Sequence, residues 1–261
     1  MAIHNTAFID PKARIGENVS IGAFSVIDAD VEIGEGTVIG SHVHVFDGAR
    51  IGKSCNIHMG ASIASIPQDL KFGGEASLFI IGDHTTVREN ATLNRGTSAH
   101  GKSEIGSNCL LMAYAHVAHD CIVGNNVIMA NGVQLGGHVE IEDFVIIGGM
   151  TPVHQFCKIG AHAMVGGAYR VVQDVPPYIT CAGEPMQYHG LNSIGLRRRG
   201  FNASVVSKLK QTYKLLFRSG MNVTQAVAAI NESVELIPEV QHVLDFIAKS
   251  DRGLIKGGDD G

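Results

Sequence analysis

Tryptophan is absent from the 261-residue chain, and none of its 5 cysteines forms a Cys-x-x-Cys pair, which speaks against a disulfide framework or a zinc knot. There is no surplus of positive charge: the formal net charge is -5 and the pI near 6.2, so nothing global favours nucleic acid as a partner. The N-terminus, MAIHNTAFIDPKARIG, has no charged segment followed by an apolar one, and no run is long enough to span a bilayer. These absences leave a soluble protein with a cytoplasmic location and no membrane insertion as the expectation.

What is present is glycine, 32 residues of it, and a period. Written in sixes from Ile3 the chain reads IHNTAF, IDPKAR, IGENVS, IGAFSV, IDADVE, IGEGTV, and the same phase returns later as VAHDCI, VGNNVI, MANGVQ, LGGHVE, IEDFVI, IGGMTP. Neither helical spacing nor a simple alternating hairpin places an aliphatic residue at every sixth position. A parallel β-helix does: each hexad supplies a short strand and a turn, with the aliphatic pointing inward. All five cysteines share one phase, four residues after a lattice position, and read as core filler.

The hexads resemble those of the left-handed β-helix acyltransferases, which implies a left-handed, triangular coil of three hexads, or 18 residues. The expected architecture is an all-β left-handed parallel β-helix over residues 1–186 with a C-terminal α-helical domain over 187–261. Loops are expected near 65–79 and 97–104, where the pattern breaks. Beyond the paired prolines of VVQDVPPYITCAG the period becomes helical. Val205, Val206, Leu209, Tyr213, Leu216 and Phe217 make one stripe between a cap at Asn202 and a stop at Gly220, and VTQAVAAINESVELI and PEVQHVLDFIAKS read as two further helices. Such a bundle would close one open end of the coil.

With 18 residues per coil, His119 lies under Gly137 and Gly137 under Gln155, in steps of roughly 5 Å. A histidine beside a glycine N–H is an arrangement suited to acyl transfer, the ring as base and the amide as oxyanion donor. The competing readings are a solvent-facing pair, His116 and His119, and a metal site in which His138 adds a third ligand, as in β-helix hydratases that hold zinc between subunits.

In order, QDLKF, AHVAHDC, LGGHV, GGMTPVHQFC, IGAHAMVGG, QDVPPY and GLRRRGF are similar to the UDP-N-acetylglucosamine O-acyltransferases of lipid A biosynthesis. That resemblance implies a homotrimer with active sites between subunits, moving an (R)-3-hydroxyacyl group from acyl carrier protein to the glucosamine 3-hydroxyl of UDP-N-acetylglucosamine, with no cofactor and no metal. It assigns His119 as the general base, Gly137 as the oxyanion amide, and Asp120 as an acidic neighbour that orients the base, although adjacent strand residues point apart. It makes Asp69, Lys71, His116, His138, Gln155, Asn192, Arg198 and Arg199 substrate contacts and Gly167 the ruler of acyl length. Asn94 and Ile194 depart from it, standing where the family often has histidine and glutamate. The related N-acyltransferase normally carries an additional N-terminal domain, which hexads beginning at Ile3 make unexpected here. From Pro185 to Asn231 there is no acidic residue, so Lys208 and Lys210 are the expected surface for an acidic carrier protein.

Overall fold

The computed structural model describes residues 2–257. Strands of mostly two residues pass in rotation to three sheets, of twelve, eight and eight strands, and every neighbouring pair within the coil is parallel. The register is the 18-residue one: Ile3 pairs with Ile21, and Ser20 with Val38. From the second coil on, the second residue of the coil's two-residue strands is the buried one, and Ile21, Ile27, Ile33, Ile39, Val45 and Ile51 start the aliphatic columns, one per sheet, that fill the interior. The result is a left-handed β-helix. All five cysteines are buried in it, and burial pushes the thiols of Cys121 and Cys181 up to about 12.

Most corners turn through a residue in the left-handed region: φ is 58° at Asn126, 61° at His138 and 60° at His162. That conformation costs a side-chain-bearing residue about 1–2 kcal/mol. A hydrogen bond to the preceding coil offsets it, as in Asn126 N–H to the Ser107 carbonyl (2.9 Å), His138 N–H to His119 (3.0 Å) and His162 N–H to Asp143 (3.0 Å).

Two coils are longer, by whole hexads. Asn56 pairs with Thr86 and Thr92 with His116, two hexads and one hexad beyond the usual spacing. The expected loops are therefore real but shorter than the sequence suggested. Ser65 closes the strand Ser62–Ser65, Leu78 and Phe79 open Leu78–Ile81, and Lys102–Ile105 is a strand paired with it. Main-chain pairing extends into the non-repetitive segments because the neighbouring coil offers a complete edge.

The first sheet continues past residue 186. Ile179–Ala182 pairs antiparallel with Gln187–Leu191, which then pairs with Lys256–Gly257, so strands stand on the helical side of the expected boundary. Four helices follow: α1 (Ser193–Arg198), α2 (Ala203–Arg218), α3 (Val223–Ser233) and α4 (Pro238–Ala248). Asn202 caps α2 by accepting the Val205 N–H at 2.9 Å, as its sequence predicts. The short α1 has no hydrophobic period to announce it, and α3 stops before the expected Val-Glu-Leu-Ile end because Val234 is already extended. Tyr213 of α2, fully buried, donates to the Pro177 carbonyl at 2.6 Å and pins the bundle to the last coil.

A second attachment is ionic. His242 of α4 meets Glu142 at 2.8 Å through Nε2 and the Tyr178 hydroxyl at 2.8 Å through Nδ1. The Glu142 hydrogen bond raises the His242 pKa above 6.5 despite burial. Burial pushes Glu142 up, but the His242 and Ala161 donors outweigh it and hold the carboxyl below 4.5. The histidine's share of the stability is complete below 6.5 and lost as pH rises through its raised value. The glutamate's is present above 4.5 and lost as pH falls through its lowered value. Glu142→Gln is therefore expected to lower the thermal midpoint more at about pH 6 than at about pH 8.5. Equal losses at both pH values, measured by thermal unfolding against the parent chain, would exclude an ionic latch.

Candidate active site

His119 sits at the edge where the coil passes from the second sheet to the third, between the strands His116–Val117 and Ile122–Val123. Its side chain is 14% exposed and that of Asp120 is fully buried. The two converge: Nδ1 of His119 donates to Oδ2 of Asp120 at 2.8 Å. Adjacent strand residues would point apart, but Asp120 is a corner residue with φ 59°, and the left-handed turn swings its side chain back toward its neighbour.

Burial raises the pKa of Asp120, yet hydrogen bonds from Thr97 and His119 outweigh it and hold the carboxyl below 3.8. An ionised carboxylate only accepts, so Nδ1 carries the imidazole proton and the Nε2 lone pair of the neutral ring stays free. The ring lies against Gly137. A Cβ built there would come 2.6 Å from Cε1 and 2.8 Å from Nε2 of His119, so only glycine leaves room for the imidazole. The Gly137 N–H has no acceptor among the described residues, while its carbonyl accepts from Phe156 N–H in the next coil at 3.1 Å.

Around this pair stand other expected residues. His138 meets His119 edge-on at 5.1 Å between centroids and stacks on Phe156 at 4.5 Å. Burial lowers its pKa, with Asp120 opposing. His116, also lowered by burial, shares a proton with the Thr92 hydroxyl at 2.8 Å. Gln155 is exposed on the next corner up. Asp69, on the long loop, is near enough to act on the charge of His138, and Lys71 beside it is exposed.

The remaining expected residues lie on other edges. Asn192 caps α1, accepting Gly195 N–H at 3.1 Å and donating to the His162 carbonyl at 2.9 Å. Arg199 stacks on Phe144 at 5.1 Å, and Arg198 is exposed on the same short helix. All three belong with the edge between the third and first sheets. Gly167 lies on the edge between the first and second, where Ala168 N–H bonds the Gly149 carbonyl at 2.8 Å and the two glycines stack. On α2, Lys210 is exposed, whereas Lys208 pairs with Glu235 at 2.9 Å, an acid just beyond the acid-free window.

Of the three histidines weighed as a metal set, His116 is not among the residues whose ligand atoms converge. His119, Asp120 and His138 do offer ligand atoms within 4.8 Å of one another. Both Asp120 oxygens, however, already accept from Thr97, and Nδ1 of His119 would have to give up its proton to bind an ion. Sequence reasoning missed Thr92, Thr97 and His100. The last is 5.3 Å from His138 between ring centroids, and all three precede or lie inside an insertion across which an 18-residue count fails.

An imidazole, a neighbouring carboxylate and an amide without an acceptor among the described residues, at one corner of a hexapeptide coil, bear comparison with known proteins. Residues 12–47 and 102–137 match the bacterial transferase hexapeptide family, and 174–255 match UDP-N-acetylglucosamine O-acyltransferase, domain 2. The acyl-acyl-carrier-protein–UDP-N-acetylglucosamine O-acyltransferase of Thiobacillus denitrificans is 45% identical over 97% of this chain and 99% of its own length. The chain belongs to this acyltransferase family. A counterpart from Aliivibrio fischeri is also 45% identical, over 97% of each chain. Among solved structures, the acyltransferase from Acinetobacter baumannii superposes with a TM-score of 0.95 at 42% identity, covering 98% of this chain and 100% of its own. That from Bacteroides fragilis gives 0.96 at 43%, covering 97% and 99%.

For an acyltransferase the close approach at Gly137 has a direct consequence. Gly137→Ala pushes a methyl into the ring of His119, the movable end of a side chain, so the coil should fold while the ring is displaced. We expect kcat to fall about 100-fold or more with little change in the midpoint of unfolding. A variant that keeps its turnover would separate His119 from the chemistry.

Proposed function

We propose that this acyltransferase transfers an (R)-3-hydroxyacyl group from acyl carrier protein to the glucosamine 3-hydroxyl of UDP-N-acetylglucosamine, the first step of lipid A biosynthesis, in the cytoplasm. The observation that carries this reading is the hydrogen-bonded pair His119–Asp120 with its imidazole against Gly137. Nε2 of His119 takes the proton of the 3-hydroxyl as its oxygen attacks the thioester carbonyl carbon. The resulting oxyanion accepts the Gly137 N–H, and the collapsing intermediate expels the carrier thiolate, which recovers the proton from His119. Ionised Asp120 stabilises the imidazolium in between. His116, His138, Gln155, Asp69 and Lys71 would hold the sugar and the acyl group near it.

The reading includes a homotrimer. One chain spreads the expected contacts over three edges of a triangular prism, and no groove of a single prism joins them. A threefold arrangement would set the His119 edge of one subunit against the Gly167 edge, or the Asn192 and Arg199 edge, of the next. The Gly167 edge also exposes Phe24, Tyr114 and Met150, at 60, 64 and 70%, which a subunit contact would cover. Lys210, with Lys208 partly neutralised by Glu235, would lie in the basic face presented to the carrier protein.

His119→Ala is expected to cut turnover by about 10²–10⁴-fold while the chain stays folded, and added chelator to leave the parent enzyme unaffected. Retained transfer by the variant would overturn the base, and chelator sensitivity would revive a metal mechanism. At the glycine strip, a Cβ added to Gly167 would stand 3.0 Å from the Gly149 carbonyl oxygen, so Gly167→Met would fill the end of the groove with a long side chain. With glycine at this position we expect a preference for longer hydroxyacyl donors, which the methionine should shift toward shorter ones. Measuring kcat/KM across a series of acyl carrier proteins checks this, and an unchanged optimum would remove the ruler from this position.

A further inference from the structure

At most corners the left-handed residue donates its N–H to a carbonyl of the coil before it. At Asp120 the preceding coil carries the one-hexad insertion, and among the described residues the Asp120 N–H makes no such bond. Its carboxylate reaches into the insertion instead. Oδ1 accepts the Thr97 N–H at 2.9 Å, and Oδ2 accepts the Thr97 hydroxyl at 2.7 Å as well as His119 Nδ1 at 2.8 Å. Thr97 is 7% exposed, and its hydroxyl also accepts Ala99 N–H at 3.2 Å, so the direction of its own proton is fixed toward Asp120.

The grip extends to the long loop. Ser98 N–H donates to Glu75 Oε1 at 2.9 Å, and the other oxygen of Glu75 accepts Gly73 N–H at 2.8 Å. Two consecutive residues, Thr97 and Ser98, thus stand between the Asp120 carboxylate and the loop that carries Asp69 and Lys71.

We propose that Thr97 is a positioning residue for the reaction: its two-point grip sets the plane of the Asp120 carboxylate so that Oδ2 meets His119 Nδ1, and ties that geometry to the Asp69–Lys71 loop through Ser98 and Glu75. The proposal rests on the reading of His119 as the base. Two parallel donors fix the carboxylate's rotation, which a single bond to the imidazole leaves free. They also stabilise its charged form. Without the hydroxyl, Asp120 becomes a stronger proton acceptor, holds the imidazolium more tightly and raises the apparent pKa of the pair.

The test compares Thr97→Val, which keeps the shape and the N–H but loses the hydroxyl, with Thr97→Ser, which restores it. For Thr97→Val we expect kcat to fall about 10- to 100-fold, KM for UDP-N-acetylglucosamine to change by less than about threefold, and the acid limb of kcat/KM to move to higher pH. Thr97→Ser should recover both the rate and the limb. Parent-like kcat and pH profile in Thr97→Val, or a serine variant as impaired as the valine one, overturns the proposal. Should the valine variant fail to fold, Thr97→Ala is judged by the same readouts.

The combination Thr97→Val with His119→Ala separates this idea from the one beneath it. If Thr97 acts through His119, the double variant is no slower than His119→Ala alone. A further multiplicative loss means that Thr97 acts elsewhere. An active His119→Ala single variant instead brings down the base assignment itself, independently of how Thr97 behaves.

Discussion

The hydrogen bond from a left-handed corner residue to the coil before it is the constraint on which the molecule depends. A φ near +60° is unfavourable for asparagine and worse for histidine or phenylalanine, yet residues of all three types occupy corners here. What holds them is the regular delivery of a carbonyl by the previous coil, together with aliphatic packing inside. The strands, at two residues each, are too short to be stable in isolation. Register therefore cannot slip by a single residue without turning the buried aliphatics outward and breaking the corner bonds that most corners make. This is why the two insertions come in whole hexads.

That rigidity creates the site. Corner geometry folds the Asp120 side chain back onto His119, and stacking brings the Gly137 backbone within contact of the same ring. Neither is achieved by a loop closing over a cavity. The His119 ring, the Asp120 carboxylate and the Gly137 amide are held by the coil itself, an arrangement that would be preorganised for the chemistry proposed above. The same rigidity disperses the other expected contacts. Gly167 and Arg199 are held as firmly on their own edges as His119 is on its own, and no bending of one chain brings them together.

The coil was legible because its signal is a strict period of six, and the stacking of His119, Gly137 and Gln155 follows from that period together with the three-hexad turn that the family resemblance implied. Helix α2 was legible from its stripe and its Asn202 cap. What escaped has physical reasons. The hydrogen bond between His119 and Asp120 depends on a backbone torsion that alternation rules ignore. Thr97 reaches Asp120 across an inserted hexad, where adding 18 lands on the wrong residue. The pairing of Lys208 with Glu235 joins α2 to the segment between α3 and α4, so an acid-free window along the chain did not imply an acid-free surface. The short helix α1 is held by Asn192 and by packing of Leu196, not by amphipathic spacing.

The two departures from the family's residues turn out to be unlike each other. Asn94 is 2% exposed, and its amide donates to the Ser65 hydroxyl at 2.8 Å and the Ile66 carbonyl at 2.9 Å. Its work is to hold the point where the long loop leaves the coil, and a group so enclosed cannot touch a nucleotide without the loop's base opening. If the Asp69–Lys71 loop contacts substrate as proposed, asparagine there would act on it only through that loop. Ile194 is 58% exposed at the start of α1, two residues after Asn192 and on the edge that holds Arg199. An apolar side chain in that position offers neither a hydrogen bond nor a charge to a ribose or a base, only contact area. On the function proposed above, recognition of a nucleotide at this edge would fall to the neighbouring arginines and to main-chain groups, and the Asn192 cap fixes the start of the helix that carries them.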